Sequence, residues 1–310
     1  MYTTGLIQGL LRRDIPARLI TCNPTANESA AKTGLPHLAV QGQKPLTDLD
    51  DTLIFMYRPP QVQTKRPAYF VLATPAADPS SIFTPGVDMP RTIVMSEYKA
   101  RYWQAALGLA SRPAVVYPFV DEIFSVTKRP RHSGPPRILF AGRAVREKGM
   151  YTLFESLHLP PLRQEEYRLT CVKGRVGRGD GAVINALYDA HPWITAVPPC
   201  KDRETMAKLY AEHDVVVMPT SSIRWVESFG MISTEAQHSG CRVVASNDGG
   251  LPETECGGLF TVEHDNPLAL SEGIVQAMRL GPLTEKERQQ AAQHYTVDQS
   301  VDALLAALAY

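Results

Sequence analysis

The second half of the chain alternates short apolar runs with longer amphipathic segments. The apolar runs, each four or five residues long, cover residues 137–141, 168–172, 194–197, 214–218, 242–245 and 258–261. Helical periodicity lies between them, over residues 149–157, 201–212 and 229–239. Continuous apolar runs separated by helices predict a parallel sheet that is covered on both faces. Ligands of such sheets bind at the carboxyl ends of the strands.

The first half repeats this pattern more weakly. Apolar runs cover residues 17–21, 37–40, 52–56, 69–73, 91–95 and 114–117, and helical patterns cover residues 5–13 and 97–107. The sequence therefore predicts the α/β class, with two Rossmann-like domains in tandem and a cleft between them. The chain opens in a helix instead of the central strand of a doubly wound domain. Either the first domain is reduced, or its opening strand lies upstream of Met1.

A linker separates the two halves. Residues 127–136 contain three prolines, one glycine and the cations Lys128, Arg129 and Arg131. This composition is typical of a connecting segment. The predicted domains are therefore residues 1–133 and residues 134–310.

The net charge of zero, from 32 Lys and Arg and 32 Asp and Glu, excludes a basic footprint for nucleic acid over the whole chain. Residues 1–135 nevertheless carry 15 basic and 10 acidic side chains, and residues 136–310 carry 17 and 22. The imbalance, +5 against −5, has two interpretations. It reflects chance and the docking of two domains, or the first half meets an anionic partner such as a lipid head group, a phosphorylated acceptor or a nucleic acid.

Cysteine usage and hydropathy predict a cytoplasmic protein. The five cysteines are scattered, no pair has CxxC spacing, and no apolar run approaches the ~20 residues that span a bilayer. Arg12 and Arg13, near an apolar helix face, leave weak peripheral contact with a membrane surface open. Asp48 and Asp50 have the spacing of a metal-binding pair, but they lie in an acidic loop, and no metal site is predicted.

The segment FAGRAVREKG, residues 140–149, combines a strand end, a glycine and two cations. Gly142 allows backbone N–H groups to approach an anion, and Arg143 and Lys148 supply positive charge at the start of a helix. These features suit a diphosphate. The alternative is a plain strand–turn–helix with solvated cations.

Two glutamates, Glu227 and Glu235, lie eight residues apart around the start of the next helix. Eight residues at about 3.6 per turn keep both on nearly one face. Ser228 and the backbone N–H groups of residues 229–231 form a second helix start that can face an anion. Carboxylates accept hydrogen bonds from vicinal hydroxyls, so the pair suits a polyol. The alternative is one capping and one solvated carboxylate.

A third segment, ASNDGGLPET, places Gly249 and Gly250 directly after a strand. Paired glycines at a strand end allow a ligand to approach the backbone closely. Taken alone, the segment is equally consistent with an ordinary turn.

The order and spacing of these segments resemble the family-4 retaining glycosyltransferases, of the "glycosyl transferases group 1" type and the GT-B fold. The resemblance covers roughly residues 90–280 and rests on ILFAGRAVREKG, DVVVMPT, VESFGMISTEAQHSG, CRVVASNDGGLPE and GGLFTVEHDNPLALSEGI. It implies transfer of a sugar from a nucleotide diphosphate sugar with retention at the anomeric carbon. It also implies that no metal or cofactor is needed. Uridine, guanosine and adenosine donors all occur in the family, and UDP or GDP is the nucleotide expected first. The terminal helix over residues 301–310 would cross back to the first domain.

The resemblance assigns roles to individual residues. Arg143 and Lys148 would hold the diphosphate and, together with Glu227 on the donor sugar, form the catalytic set. Glu235 would bind the ribose hydroxyls. The other donor-binding positions fall into three groups. Ser228, Phe229, Gly230 and Met231 would contact the sugar or phosphate, and Val172, Lys173, Gly174 and Pro199 would line the base. Gly142, Gly249 and Gly250 would allow the donor to approach the backbone closely.

The first domain departs from the family pattern. A glycine-rich loop after an opening strand is absent from the sequence, and the position of a family histidine holds Ala73, Thr74 and Pro75. The acceptor is therefore unidentified: a small molecule, a lipid-linked glycan or a nucleic acid. A non-catalytic protein that binds a sugar nucleotide, or serves as a partner subunit, is the alternative to an active transferase.

Overall fold

The computed structural model describes residues 2–21, 24–39, 52–55, 68–72, 91–173, 180–223 and 226–308. The chain divides into two compact units. Unit 1 contains Met1–Phe119 and Thr296–Tyr310, and unit 2 contains Val120–Tyr295.

Unit 2 is built on a six-stranded sheet in which all strands are parallel. The strands are β7 (Arg137–Phe140), β8 (Arg168–Val172), β9 (Thr195–Val197), β10 (Val215–Met218), β11 (Arg242–Ser246) and β12 (Leu259–Val262). Their spatial order is β12-β11-β10-β7-β8-β9. Counted from β7, this is the 3-2-1-4-5-6 order of a doubly wound dinucleotide-type fold, with β7 and β10 at the switch point.

Helices cover both faces of this sheet. They are α4 (Ile123–Val126), α5 (Met150–Ser156), α6 (Pro160–Arg163), α7 (Gly181–Ala190), α8 (Arg203–Ala211), α9 (Met231–His238), α10 (Pro267–Leu280) and α11 (Glu285–Ala291). Successive strand residues alternate between two core clusters: Val215 and Val217 lie in one, and Val216 lies in the other. All three are at most 1% exposed. Burial on both faces explains why these strands are continuously apolar.

The boundary between the units lies between Phe119 and Val120, whereas the sequence places it near residue 133. The reason is that residues 127–136 pack against unit 2. Arg129 donates to the Ser239 carbonyl oxygen at 3.2 Å, and both Arg129 and His132 bond the buried carboxylate of Asp214. Linker composition therefore marks a segment without secondary structure, although that segment belongs to the second unit.

Unit 1 contains two smaller parallel sheets. Strand β1 (Leu19–Thr21) pairs with β2 (His37–Ala39). The second sheet runs in the order of the sequence: β3 (Leu53–Phe55), β4 (Ala68–Leu72), β5 (Arg91–Val94) and β6 (Ala114–Val115). The helices are α1 (Tyr2–Leu11), α2 (Pro24–Ala31), α3 (Glu97–Leu107) and α12 (Val297–Leu308).

The terminal helices α1 and α12 pack together within unit 1. A Cβ atom at Gly9 would lie 2.7 Å from a methyl group of Val301, so the glycine permits the close approach of the two helices. Leu304 of α12 is 2% exposed and belongs to the same core as Val71 of β4. The C-terminal helix is thus a structural part of unit 1.

The predicted α/β class is confirmed, and each predicted strand has a counterpart within a few residues. The first helix runs from Tyr2 to Leu11, whereas the sequence predicts residues 5–13. It ends earlier because Asp14 adopts a positive φ of 57° in the turn that follows. Among the described residues, no helix is long and apolar enough to cross a bilayer.

Candidate functional site

Three loops of unit 2 meet at the carboxyl ends of its central strands. They follow β7, β10 and β11, and they contain the three segments that the sequence singles out. The backbone N–H of Ser221 donates to the Glu147 carbonyl oxygen at 3.0 Å, which joins the first loop to the second. The Ser246 hydroxyl donates to the Thr220 carbonyl oxygen at 2.9 Å, which joins the second loop to the third.

Gly149 lies where the β7 loop passes the β10 loop. Its φ is +75°, and a Cβ atom there would overlap the carbonyl oxygen of Pro219. Only glycine meets both conditions without displacing backbone. Gly149 directly follows Lys148. The close contact between the two loops therefore also fixes the backbone position from which the Lys148 side chain extends.

The paired glycines of the β11 loop have a packing role that the sequence does not reveal. The Gly250 N–H donates to the Glu227 carbonyl oxygen at 3.0 Å. A Cβ atom on Gly250 would overlap the Ser228 carbonyl oxygen, and one on Gly249 (φ +61°) would lie 2.5 Å from a Val226 methyl group. The two glycines therefore hold the backbone on which Glu227 sits.

Lys148 and Glu227 form an ion pair, with side chains only 16% and 15% exposed. The Thr220 hydroxyl donates to the same Glu227 oxygen, Oε1, at 3.4 Å. Arg143 is exposed, and it forms no ion pair with any residue in the described ranges. The structure thus brings together two of the three residues predicted as catalytic, and it leaves the guanidinium of the third open to a ligand.

Helix α9 begins beside this ion pair, at Met231. Its N-cap is Gly230, with a φ of +111°. Glycine has no side chain that could accept a hydrogen bond from the first turn. The Ser233 N–H donates to the Gly230 carbonyl oxygen at 2.9 Å, which leaves the N–H groups of Met231 and Ile232 for a ligand. The Phe229 side chain is 3% exposed and its ring packs at 5.1 Å from Tyr295, so only its backbone can contribute to a site.

Glu235 lies one turn inside α9 and is half-buried. Burial raises its pKa to about 7, against opposing effects from Arg203 and Tyr210. The Tyr210 hydroxyl donates to Glu235 Oε2 at 3.4 Å. Sequence reasoning missed Tyr210 and Thr220, because the hydrogen bonds that they make depend on how separate elements pack.

The residues predicted at the base lie towards the other edge of the sheet. Val172 ends β8, and the Lys173 N–H donates to the Val197 carbonyl oxygen at 2.7 Å. Pro199 is exposed and follows β9. Within the described ranges, no hydrogen bond or ion pair joins these positions to either glutamate. Gly174, like residues 48–50 and 73–75, lies outside the described residues.

The family model "Glycosyl transferases group 1" matches residues 122–294. The chain belongs to this family. The match begins and ends within two residues of unit 2, which spans Val120–Tyr295. Every site residue predicted from the sequence falls inside it.

The chain is also similar along most of its length to a curated relative. It is 27% identical over 307 residues to a protein of Gordonia bronchialis named D-inositol 3-phosphate glycosyltransferase. That similarity covers 93% of this chain and 58% of the relative. The chain therefore spans less than two thirds of the length of that relative.

Solved structures confirm the GT-B fold. A glycosyltransferase from Rickettsia africae has a TM-score of 0.79 at 16% identity, covering 99% of this chain and 93% of that one. HepE from Anabaena, solved in complex with UDP, has a TM-score of 0.69 at 14% identity, covering 98% and 94%. At these identities the similarity concerns the fold alone.

Proposed function

We propose that this protein binds a nucleotide diphosphate sugar in unit 2 and transfers the sugar to an acceptor hydroxyl with retention of configuration, without a metal ion. The observation that carries the proposal is the Lys148–Glu227 ion pair beside the start of α9, with the exposed Arg143 on the same loop as Lys148. Two cations and backbone N–H groups favour a diphosphate at this position. Membership of the group 1 family supports the same conclusion.

In this proposal the donor separates the Lys148–Glu227 ion pair. The diphosphate takes the Lys148 ammonium and the Arg143 guanidinium, and a hydroxyl of the donor sugar donates to Glu227. As the bond between the anomeric carbon and the diphosphate oxygen breaks, negative charge grows on the diphosphate, and both cations stabilise it. The acceptor oxygen bonds the same face of the anomeric carbon, and its proton passes to the departing diphosphate.

The nucleoside would lie along the carboxyl ends of the remaining strands of the sheet. Glu235 would accept hydrogen bonds from the ribose hydroxyls. Val172, Lys173, Gly174 and Pro199 would line the base. UDP is the first nucleotide to test and GDP the second, because the structurally similar HepE holds UDP.

The acceptor is expected to bind the basic first half. The curated relative's name makes D-inositol 3-phosphate the first candidate. A phosphorylated polyol would also match the charge of +5 on residues 1–135. Lipid-linked glycans and nucleic acids are the other acceptor classes, and the lipid-linked class would place the protein at a membrane surface.

A protein that binds the sugar nucleotide without catalysis is the second candidate. The observation that favours it is that Ala73, Thr74 and Pro75 hold the position of a family histidine. Turnover separates the two candidates, because both of them bind the donor.

The test is a thermal-shift panel of UDP, GDP and ADP with their sugar conjugates, on the wild type and on Glu235→Ala. The matched control is Glu272→Ala, which removes an exposed carboxylate on α10 of the same unit. We expect one nucleotide to raise Tm in the wild type and the control, and to raise it less in Glu235→Ala. No shift with any nucleotide in folded protein would overturn the donor site.

Turnover is then measured as release of the nucleoside diphosphate, with and without EDTA, in the presence of each acceptor class. Release that EDTA does not change supports metal-independent transfer. Donor binding without release, across all acceptors, would favour the non-catalytic candidate. Loss of release with EDTA would overturn metal independence.

A further inference from the structure

Helix α8 presents one face to Glu235. Arg203 and Tyr210 lie seven residues apart on this helix, which is about two turns, so both side chains lie on the same side. Both act on the Glu235 carboxyl group, Tyr210 through its hydroxyl and Arg203 through its charge. No motif in the sequence draws attention to either residue.

The Tyr210 hydroxyl is held in one place by packing. The residue is fully buried, and its ring lies 5.8 Å from the ring of Phe124 on α4. Its carbonyl oxygen accepts a hydrogen bond from Cys241 Sγ at 3.1 Å, which ties the end of α8 to the start of β11. Because the ring has no room to turn away, the hydroxyl is a fixed donor towards Glu235 Oε2.

Arg203 is held from the other side. It forms an ion pair with Asp121, and Asp121 Oδ1 also accepts from the Ile123 N–H at 3.1 Å at the start of α4. Its charge favours the ionised form of Glu235. Two other cations lie at the far end of α9: Arg288 of α11 donates to the His238 carbonyl oxygen, and Arg129 donates to the Ser239 carbonyl oxygen.

Burial alone would leave Glu235 protonated near neutral pH, because desolvation is the largest effect on its pKa, which lies at about 7. A protonated carboxyl group offers one fewer acceptor than a carboxylate. A hydroxyl donor and a nearby cation on α8 both favour the carboxylate. They also set its orientation, since a hydrogen bond to Oε2 leaves Oε1 for another donor.

We propose that Tyr210 is a positioning residue for ribose recognition: it orients Glu235 so that the carboxylate accepts from the 2′- and 3′-hydroxyls of the donor. The charge of Arg203 favours the ionised form of the group. This inference rests on the proposed function for its ligand. The α8 face is thereby part of the donor site, although neither of its two residues touches the nucleotide.

The test compares UDP with 2′-deoxy-UDP, or the corresponding pair for whichever nucleotide the panel identifies. Dissociation constants are measured by calorimetry for the wild type, Tyr210→Phe and the control Tyr69→Phe. Tyr69 is also buried, and its hydroxyl donates to the Leu308 carbonyl oxygen in unit 1. We expect the preference for the ribonucleotide to fall about threefold to tenfold in Tyr210→Phe, as for one lost hydrogen bond, and not in the control.

Two results would overturn the proposal. One is an equal loss of affinity for both nucleotides, which indicates a general structural role. The other is an unchanged preference in folded Tyr210→Phe.

A second measurement needs no ligand. The Glu235 carboxyl carbon is titrated by NMR in the free protein and assigned by comparison with Glu235→Gln. We expect a higher midpoint in Tyr210→Phe and in Arg203→Gln than in the wild type. If no nucleotide binds but the midpoints shift, the proposed function fails while the influence of α8 on Glu235 stands. Unchanged midpoints would overturn that influence.

Discussion

The two units of this protein differ in how their backbones are constrained. Unit 2 has one sheet of six parallel strands, and its central strands are buried on both faces. Unit 1 divides its described strands between sheets of two and four, with strands of two to five residues. The family match covers 122–294, which is almost all of unit 2. The unit with the single six-stranded sheet is thus also the one that carries the group 1 motifs.

The glycines of the two units also differ in what lies next to them. In unit 2, Cβ atoms at Gly149 and Gly250 would overlap backbone carbonyl oxygens, which cannot move without moving a loop. In unit 1, Gly5 and Gly9 face the side chains of Phe119 and Val301. Side chains can rotate, whereas a loop that carries a reacting group cannot shift without losing its alignment. Among the glycines of the described residues, close backbone contacts are therefore concentrated where the site needs fixed geometry.

The largest expected effect is on turnover. Lys148→Ala removes a cation from the departing diphosphate, and we expect the rate to fall about 10²- to 10³-fold, by analogy with a lost oxyanion donor. The control is Lys32→Ala, an exposed lysine of unit 1. Release of the nucleoside diphosphate is measured at saturating donor. A similar rate for both variants would place the diphosphate elsewhere.

The next effect is on stability, at two glycines that both have positive φ. Gly149→Ala meets a carbonyl oxygen, whereas Gly34→Ala, in unit 1, meets nothing within 4 Å. We expect backbone strain in Gly34→Ala to lower the free energy of unfolding by about 1–2 kcal/mol. Gly149→Ala should lower it several times more. Urea unfolding measures both. Equal costs would mean that the β7 and β10 loops can separate freely.

A matched pair of core leucines tests how far the units depend on each other. Leu270 of α10 is 1% exposed in unit 2, and Leu304 of α12 is 2% exposed in unit 1. Each change to alanine is expected to cost about 2–5 kcal/mol. Nucleotide affinity is measured by calorimetry near the melting transition. It should fall in Leu270→Ala and stay unchanged in Leu304→Ala. Equal loss in both would show that donor binding requires an intact unit 1.

The smallest effect concerns Glu235. Its pKa of about 7 exceeds the ordinary 4.5, so the folded protein holds this proton more tightly than the unfolded chain. That contribution is fully present below pH 4.5 and is lost as pH rises through 7. A glutamine at this position does not titrate, so Glu235→Gln does not lose stability in this pH range. We expect its free energy of unfolding to exceed that of the wild type by about 1–3 kcal/mol at pH 8 and by little at pH 4.5. Denaturant unfolding at both pH values measures this.

The control for that experiment is Glu28→Gln, at an exposed position on α2 of unit 1. It should give the same difference from the wild type at both pH values. A Glu235→Gln variant that is less stable than the wild type at pH 8 would contradict the effect of burial on this carboxyl group.

Much of unit 2 could be predicted from the sequence, because the signals are local. Apolar runs gave the strands, and glycines and cations after them marked the loops that meet at the strand ends. Unit 1 is harder to predict: its helix α2 (Pro24–Ala31) was missed, because eight residues of mixed polarity leave little periodicity to detect. The limit of unit 2 was also missed, since Arg129 and His132 bond an aspartate 82 or more residues away.

The alternation of strands and helices, the three motifs and the resemblance to group 1 transferases can all be recognised in the sequence, because each depends on residues close together in the chain. The Lys148–Glu227 ion pair, the support of the Glu227 backbone by Gly250 and the contact of Tyr210 with Glu235 follow from the folding of the chain in three dimensions. Those contacts join residues 23 to 79 positions apart, at distances set by the packing of whole elements. Periodicity gives the face of a helix, but the atom that meets that face depends on how the neighbouring helices and loops fill the space around it.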